Sequence, residues 1–348
     1  MSATAYRLGL PQTEGDAGRR ESSLAAPAEP VPLRRAPKRL QFAPPRSAEF
    51  QRIPSNDAYH ITNGAFHTAI ALHLSLPIAG FEGSTCLCND ALTGAGAARH
   101  ISSCTKFNKL DRSETFQHAF DSIMQEVCPG VSIEGAKPAH GTQRRCAIYA
   151  TVPETNSAGQ VVIDSATGLP KMKSIIPDRV VRGFSDEQTG TSGRYIVDTI
   201  IVAPDIQSYA AAAAQNPQAA AAAAYATKYA TYTHLLKPGD KLLAVVCESY
   251  GGLHDSVKER LLSWAELVRK ADPGADSNGV ISANNLTSTI MAIWQRRLSV
   301  ALLHGRVNSV DTAMNKLRGV PSRSNTYAYR ISHPMRFVQE LGRLRERF

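Results

Sequence analysis

The sequence predicts an α/β or α+β fold built around a small mixed sheet. Three observations predict it: helical and strand-like runs alternate between residues 112 and 270, a segment rich in cysteine precedes that region, and a basic segment follows it. Such alternation is typical of domains in which helices cover a sheet. The 348 residues, 43% of them hydrophobic and 20% charged, are sufficient for a sizeable core.

The first 58 residues predict an arm without regular structure. They are rich in Pro, Ala, Ser and Arg, and proline at this density prevents regular helix or sheet. The basic pairs Arg34-Arg35 and Lys38-Arg39 are typical of a nuclear-import signal or of phosphate contacts, although such pairs also arise by chance. We expect a nuclear protein, with the cytoplasm as the alternative.

The charge of the chain indicates a polyanionic partner. The formal net charge is +9, and the segment from Arg296 onward carries eleven Lys or Arg against three acidic residues, which is about +8. The alternative is a solvated basic helix with an unstructured end. No apolar run approaches the roughly 20 residues of a membrane-spanning helix, so no membrane partner is expected. The N-terminus lacks a secretory pattern, and the six cysteines are expected to stay reduced.

The elements follow in order from their periodicity. Apolar residues at helical spacing predict a helix over 66–76, and a second helix over 111–127 has Phe116, Phe120 and Ile123 on one face. Strands are expected at 144–152 and 160–163, around a turn at 156–159. The stretch IIPDRVVRGFSDEQTGTSGRYIVDTIIVAP, residues 175–204, predicts two further strands joined by a polar, glycine-rich turn.

An alanine-rich stretch, residues 208–236, predicts a helix that breaks at Asn216-Pro217. A buried strand is expected within 241–252, then an amphipathic helix over 254–271 and two or three helical patterns in the basic tail. In the second half of the alanine-rich helix, four side chains recur at positions i, i+3, i+4 and i+7: Tyr225, Lys228, Tyr229 and Tyr232.

The segment CLCNDALTGAGAARHISSC predicts a zinc site. Cys86, Cys88, His100 and Cys104 supply three thiolates and one imidazole, which is a set that binds Zn²⁺ tetrahedrally. His100 and Cys104 are one helical turn apart, so both can point at one ion. A closed set of four ligands predicts a structural role or nucleic-acid docking rather than catalysis.

Two aspartates beside strand-like apolar residues form the second candidate site. Asp178 opens or precedes one strand and Asp198 lies within the next, so a hairpin brings both carboxylates to one side. A buried carboxylate needs a partner, and a shared Mg²⁺ is one such partner. Lys228 is a candidate to activate water or hold a phosphate. The alternative for an aspartate near glycine is turn capping.

The order of these motifs resembles one family. FHTAIALHLSLPI, the CCHC knuckle, PD, D, the alanine-rich helix with KYATY, and ESYGG together resemble the C-terminal region of non-LTR retrotransposon polyproteins. That region carries a zinc knuckle, which follows the reverse transcriptase, and then a restriction-like PD-(D/E)xK endonuclease. The likeness runs from about residue 60 to 272. It implies a Mg²⁺-dependent nuclease that nicks DNA, exposing a 3′-hydroxyl for reverse transcription.

The resemblance implies roles for individual residues. The four knuckle residues look like zinc ligands, Asp178 and Asp198 like the acids that bind magnesium, and Lys228 like the family's displaced catalytic lysine, with Tyr232 as its helper. Glu134 is a weaker candidate for a magnesium ligand, and Glu248 resembles a mainly structural position.

The chain also departs from the family's pattern. Ile200 stands where the third motif residue would be lysine, Ser113 replaces a histidine, and an insertion that includes Asp164 precedes Asp178. These departures support the alternative of a binding protein whose nuclease centre has decayed. A third hypothesis is an alanine-rich structural or interaction protein in which the metal site only stabilises the fold.

The expected organisation has four parts: a disordered arm at 1–58, a helix and knuckle at 59–108, the nuclease at 109–272, and a basic helical tail at 273–348. The expected partners are DNA, RNA as a second nucleic acid, and the remainder of a retrotransposon polyprotein.

Overall fold

The computed structural model describes residues 63–74, 76–78, 80–81, 83–104, 106, 109–135, 146–156, 158–186, 191–204, 206–271 and 283–319. The predicted arm, with its basic pairs, lies outside the described residues, as does the chain after residue 319. None of the helices in the described ranges is both long and apolar enough to cross a membrane.

Seven helices and eight strands are formed by the described residues. In chain order they are α1 Asn63–Leu74, β1 Ser84–Thr85, β2 Ala91–Leu92, α2 Gly94–Ser103, α3 Lys109–Val127, β3 Ser132–Glu134, β4 Ala150–Pro153, β5 Met172–Ile175, β6 Arg179–Asp186, β7 Thr191–Val202, α4 Gln207–Gln215, α5 Ala219–Thr233, β8 Asp240–Glu248, α6 Asp255–Lys270 and α7 Ala283–Leu317.

A four-stranded mixed sheet is the centre of the molecule. Its strand order is β3-β6-β7-β8. The pairs β3/β6 and β6/β7 are antiparallel, whereas β7 and β8 are parallel and are connected through α4 and α5. The predicted mixed α/β class with a small mixed sheet is therefore confirmed.

Helices α3, α6 and α7 pack on one face of this sheet. Their shared core contains Phe116, Phe120 and Ile123 of α3, together with Trp264 of α6 and Trp294 of α7. Phe116, Phe120 and Ile123 are each at most 2% exposed, as their helical spacing predicts. Full burial of one such side chain contributes about 1.5 to 3 kcal/mol.

Helix α7 is one continuous helix of 35 residues, and it forms most of the described part of the segment 273–348, for which the sequence predicted two or three helical patterns. Its apolar residues are shared by three buried clusters along its length, one with α3 and α6, one with α1 and one with the cysteine-rich segment. Two of its basic residues are buried: Arg297 bonds the Glu126 carboxylate, and Arg306 donates to the Ser249 backbone oxygen. These two cations are therefore engaged inside the fold.

The knuckle segment packs on the C-terminal half of α7. Phe81, Leu92 and Ile101 are buried there against Val310 and Ala313 of α7. The knuckle and the central sheet therefore each use part of the same helix.

A small β-hairpin is inserted between β3 and β6. Strand β4 pairs with β5, whereas residues 160–163, predicted as its partner strand, form only isolated bridges at Val161 and Ile163. These residues extend the hairpin beyond β4 and β5, because the Val162 N–H donates to the Glu154 backbone oxygen and the Val162 oxygen accepts from the Lys171 N–H, both at 2.8 Å. Tyr149 links this hairpin to the main sheet, because its hydroxyl donates to Asp240 at 2.8 Å.

The alanine-rich segment breaks where the sequence predicted. Helix α4 ends before Asn216-Pro217, and Gln218 adopts a left-handed conformation, with φ 74°, before α5 begins. Small side chains at Ala220, Ala221 and Ala224 allow α5 to lie close to β7 and β8.

Candidate metal centres

The four predicted zinc ligands converge. The ligand atoms of Cys86, Cys88, His100 and Cys104 all lie within 4.8 Å of one another. The Sγ atoms of Cys86 and Cys104 are 3.5 Å apart, and those of Cys88 and Cys104 are 3.9 Å apart. Tetrahedral Zn²⁺ with bonds of about 2.3 Å requires sulfur separations of about 3.8 Å. The cluster could therefore hold a metal such as zinc.

The surroundings of this cluster also suit a cation. The Asp90 carboxylate lies 3.2 Å from His100 Nδ1, which leaves Nε2 facing the Cys88 sulfur at 3.3 Å. A carboxylate on the second nitrogen orients a metal-binding imidazole in this way. Backbone N–H groups of Cys88 and Lys106 point at Cys86 and Cys104 at 3.5 and 3.4 Å. Burial raises the pKa of the Cys86 thiol to about 12, and a bound cation would offset this by stabilising the thiolate.

The second candidate centre lies on the face of the main sheet that α5 covers. Val180 of β6 and Ile196 of β7 pair with each other and are buried with Tyr232 on this face. Asp178 is two residues before Val180, and Asp198 is two residues after Ile196. Because side chains alternate along a strand, both aspartates share the face of these buried residues.

Lys228 and Tyr232 of helix α5 lie beside these two aspartates. Lys228 Nζ lies 2.7 Å from Asp198 Oδ2, and the Tyr232 hydroxyl also bonds the Asp198 carboxylate. The Asp198 side chain is 10% exposed and the Lys228 side chain is 26% exposed, so the group is partly open to solvent. Burial and the neighbouring carboxylates raise the pKa of Tyr232 well above its usual range, which keeps it a neutral donor.

Asp178 has an environment that disfavours its charge. Burial, with the like charge of Asp198 as the second cause, raises the pKa of Asp178 to about 6. The Thr199 N–H, which donates to its Oδ2 at 2.7 Å, and the Lys228 charge act in the opposite direction. Two carboxylates held together in this way favour a divalent cation or a shared proton.

Glu134 does not join this pair. Its carboxylate accepts from Arg182 Nη2 at 3.1 Å and from the Ala147 N–H at 3.2 Å. Among the residues that the structure describes, no set of three or more His, Cys, Asp or Glu close enough to share an ion includes Asp178 or Asp198.

The remaining singled-out positions have structural contacts. Glu248 ends β8, where its carboxylate accepts from the Ala221 N–H and burial raises its pKa. Ile200 packs into the apolar contact between sheet and α5. Ser113 lies in the first part of α3, and Asp164 caps a turn of the inserted hairpin by accepting from Ala166 N–H at 2.8 Å.

Sequence reasoning missed the residues behind Asp178. Arg179 is buried and bonds the Asp121 carboxylate at 2.9 Å, and its Nη1 donates to the Asp178 backbone oxygen. The thiol of Cys146 also reaches that oxygen, at 3.5 Å. The sequence does show one sign of this contact, because Arg179 is a charged residue beside an apolar run and directly after the predicted ligand Asp178.

Comparisons with protein-family models, with curated proteins and with solved structures found no match. The class of this protein is therefore described from its fold and its two candidate sites alone. It is a mixed α/β protein with a Cys3His cluster that could hold a metal such as zinc. It also has two neighbouring aspartates, the half-buried Asp178 and the buried Asp198, and a lysine and a tyrosine bond Asp198.

Proposed function

We propose that this protein is a Mg²⁺-dependent DNA endonuclease derived from a non-LTR retrotransposon. Its nuclease core is of the restriction-like PD-(D/E)xK type, and its zinc knuckle binds nucleic acid. The reaction is the nicking of one DNA strand, which leaves a 3′-hydroxyl. The partners are DNA, RNA as a second nucleic acid, and the rest of a retrotransposon polyprotein, in the nucleus.

The position of Lys228 is the observation that carries this proposal. The residue two places after Asp198 is Ile200, so the core lacks a lysine at the usual position of the motif. Lys228 instead comes from α5, 30 residues later in the chain, and its Nζ lies 2.7 Å from the Asp198 carboxylate. A lysine on the far side of α5 would have argued for a protein that only binds DNA.

The chemistry assigns a different task to each side chain. Asp178 and Asp198 would hold Mg²⁺, which supplies charge stabilisation and an acidic bound water. Lys228 positions the attacking water or the phosphate through its ammonium group. Tyr232 stays protonated and donates to Asp198, which fixes the direction of that carboxylate. Water adds to phosphorus as the bond to the 3′-oxygen breaks, and the oxygen leaves with a proton as the 3′-hydroxyl.

The electrostatics of the pair also support a cation site. A carboxyl whose pKa is raised by burial and by a second carboxylate carries a free-energy cost when ionised. A divalent cation removes that cost because it compensates both charges. This arrangement is typical of functional sites, where perturbed pKa values concentrate.

A nicking assay on supercoiled plasmid tests the proposal. The full chain, loaded with zinc, is incubated with Mg²⁺ or Mn²⁺, and Asp198→Ala and Lys228→Ala are compared with the wild type. We expect metal-dependent nicking that falls by about 10²-fold or more in each variant. Lys171→Ala is the matched control, because Lys171 forms an exposed ion pair with Glu154 at 2.9 Å on the inserted hairpin. Nicking by Asp198→Ala at the wild-type rate would exclude this site.

The alternative function is a nucleic-acid-binding protein of the same fold without catalysis. Ile200 and Ser113, at positions where the family has lysine and histidine, favour it. In that case the wild type leaves plasmid intact with either metal and still retains DNA. The retention weakens as salt rises, since phosphate contacts release counterions.

A further inference from the structure

A buried ion pair lies directly behind Asp178, on the opposite face of the sheet. Arg179 is 1% exposed, and its Nε donates to the two carboxylate oxygens of Asp121 at 3.2 and 2.9 Å. Asp121 belongs to α3, and its side chain is 8% exposed. The pair therefore connects the first residue of β6 to the helical layer.

The same guanidinium also holds the backbone of Asp178. Nη1 of Arg179 donates to the Asp178 backbone oxygen at 2.9 Å, and the Cys146 sulfur lies 3.5 Å from that oxygen and 3.3 Å from the Glu134 backbone oxygen. Gly135 lies against the same atom, since a Cβ there would be 2.5 Å from the oxygen. The carbonyl is thus enclosed on several sides. A fixed carbonyl fixes the peptide plane after Asp178, and so constrains the position of the Cα from which its side chain extends.

Stability alone does not explain a charged pair in this place. A buried ion pair loses hydration, and apolar residues of similar volume often stabilise a core equally well or better. The Arg179 Nη2 atom is buried and has no hydrogen-bond partner among the described residues, which adds to the cost. A guanidinium is, however, suited to hold two acceptors at once in a fixed geometry.

We propose that Arg179 and Asp121 are positioning residues for the metal-binding carboxylate of Asp178. Asp121 orients the guanidinium through Nε, and the guanidinium in turn fixes the Asp178 carbonyl through Nη1. The inference rests on the proposed function in one respect, namely that Asp178 binds a divalent cation. In this arrangement, a residue of α3, on the opposite side of the sheet from the two aspartates, contributes to the affinity for the divalent cation.

The test compares two buried acids of the same helix. Asp121→Asn removes the negative charge that holds the Arg179 guanidinium. Arg179→Lys retains the positive charge but cannot bond both the Asp121 side chain and the Asp178 backbone oxygen in the same geometry. Glu126→Gln is the matched control, because Glu126 is also buried on α3 and is bonded by Arg297 and by the Trp294 indole, away from Asp178. Mn²⁺ binding to the zinc-loaded full chain is measured by titration calorimetry, and urea unfolding is measured alongside.

We expect Mn²⁺ binding about 10-fold weaker in Asp121→Asn and Arg179→Lys, as for other residues that orient metal ligands. Glu126→Gln should lose comparable stability and bind Mn²⁺ like the wild type. Unchanged Mn²⁺ affinity in Asp121→Asn, or equal weakening in Glu126→Gln, would overturn the inference.

Two further outcomes separate this inference from the nuclease itself. A wild type that binds no Mn²⁺ at Asp198, as judged with Asp198→Ala, overturns the inference together with the metal-dependent function. A wild type that binds Mn²⁺ there without nicking DNA refutes the nuclease only, and the positioning role then stands or falls on Asp121→Asn and Arg179→Lys.

Discussion

Asp178→Asn should stabilise the fold at neutral pH while it removes the proposed activity. The pKa of Asp178 is raised from its ordinary value of 3.8 to about 6 by burial and by Asp198. The folded chain therefore holds this proton more tightly than the unfolded chain. The stability that the proton contributes is fully present below about pH 4 and is lost as the pH rises through about 6. At neutral pH the ionised carboxylate destabilises the fold.

The size of the effect follows from the two pKa values. A pKa difference of about 2 corresponds to about 3 kcal/mol at pH 7.5, since each pKa unit is worth about 1.4 kcal/mol. At pH 5 the folded state is still mostly protonated, and the same calculation gives about half of that cost. Asparagine carries no charge, and its side-chain oxygen can still accept from the Thr199 N–H. We therefore expect a gain of up to about 3 kcal/mol at pH 7.5 and about half as much at pH 5.

Urea unfolding followed by tryptophan fluorescence measures this gain, in buffer with zinc but without magnesium. Asp164→Asn is the control, because hydrogen bonds from Ala166 and Thr167 lower the pKa of that exposed carboxyl, so its replacement should bring no gain. Added Mg²⁺ should stabilise the wild type and leave Asp178→Asn unchanged. An Asp178→Asn protein that is less stable than the wild type by the same amount at both pH values would refute the reasoning.

Three further changes test other parts of the structure. Gly135→Ala should weaken Mn²⁺ binding and lower the urea midpoint of unfolding, because its Cβ would lie 2.5 Å from the Asp178 backbone oxygen and its φ is +88°. A Mn²⁺ affinity equal to that of the wild type in titration calorimetry would contradict this. His100→Ala should lower zinc content from one ion per chain and release the knuckle from α7, measured by metal analysis and by protease cleavage between α1 and α3; a full zinc load would contradict it. Leu261→Ala should lower the free energy of unfolding in urea by about 2 to 5 kcal/mol, because Leu261 is 0% exposed in the core that α3, α6 and α7 form with the sheet. A loss below about 1 kcal/mol would show that the surrounding side chains fill the cavity.

Local patterns in the sequence predicted most of the elements around the sheet. The break of the alanine-rich helix at Asn216-Pro217 follows from the loss of a backbone donor at proline, and the hairpin of β6 and β7 follows from apolar runs around a polar turn. The knuckle could be predicted because its ligands lie within 19 residues of one another, so local turns alone bring them together.

Contacts between distant segments could not be predicted in the same way. Asp121 and Arg179 are separated by 58 residues, and periodicity says nothing about which charged side chains meet across two layers. The charges of α7 stand out in the sequence, which therefore predicts a basic tail there. Its buried Leu298 and Ala301 show instead that its apolar positions complete the main core. The pairing of β4 with β5 could not be predicted either, because local patterns do not tell which strand-like segments meet in space.

The sharing of α7 has a consequence for the order of events during synthesis. Both the knuckle core and the main core need residues of α7, which are the last of the described chain to be made. Roughly 180 residues separate Cys104 from the start of α7, which is about 10 to 35 s of elongation at typical rates. During that interval the four zinc ligands are already synthesised, but the apolar surface that surrounds them has no partner. Zinc binding can therefore precede the burial of the knuckle's apolar residues against α7.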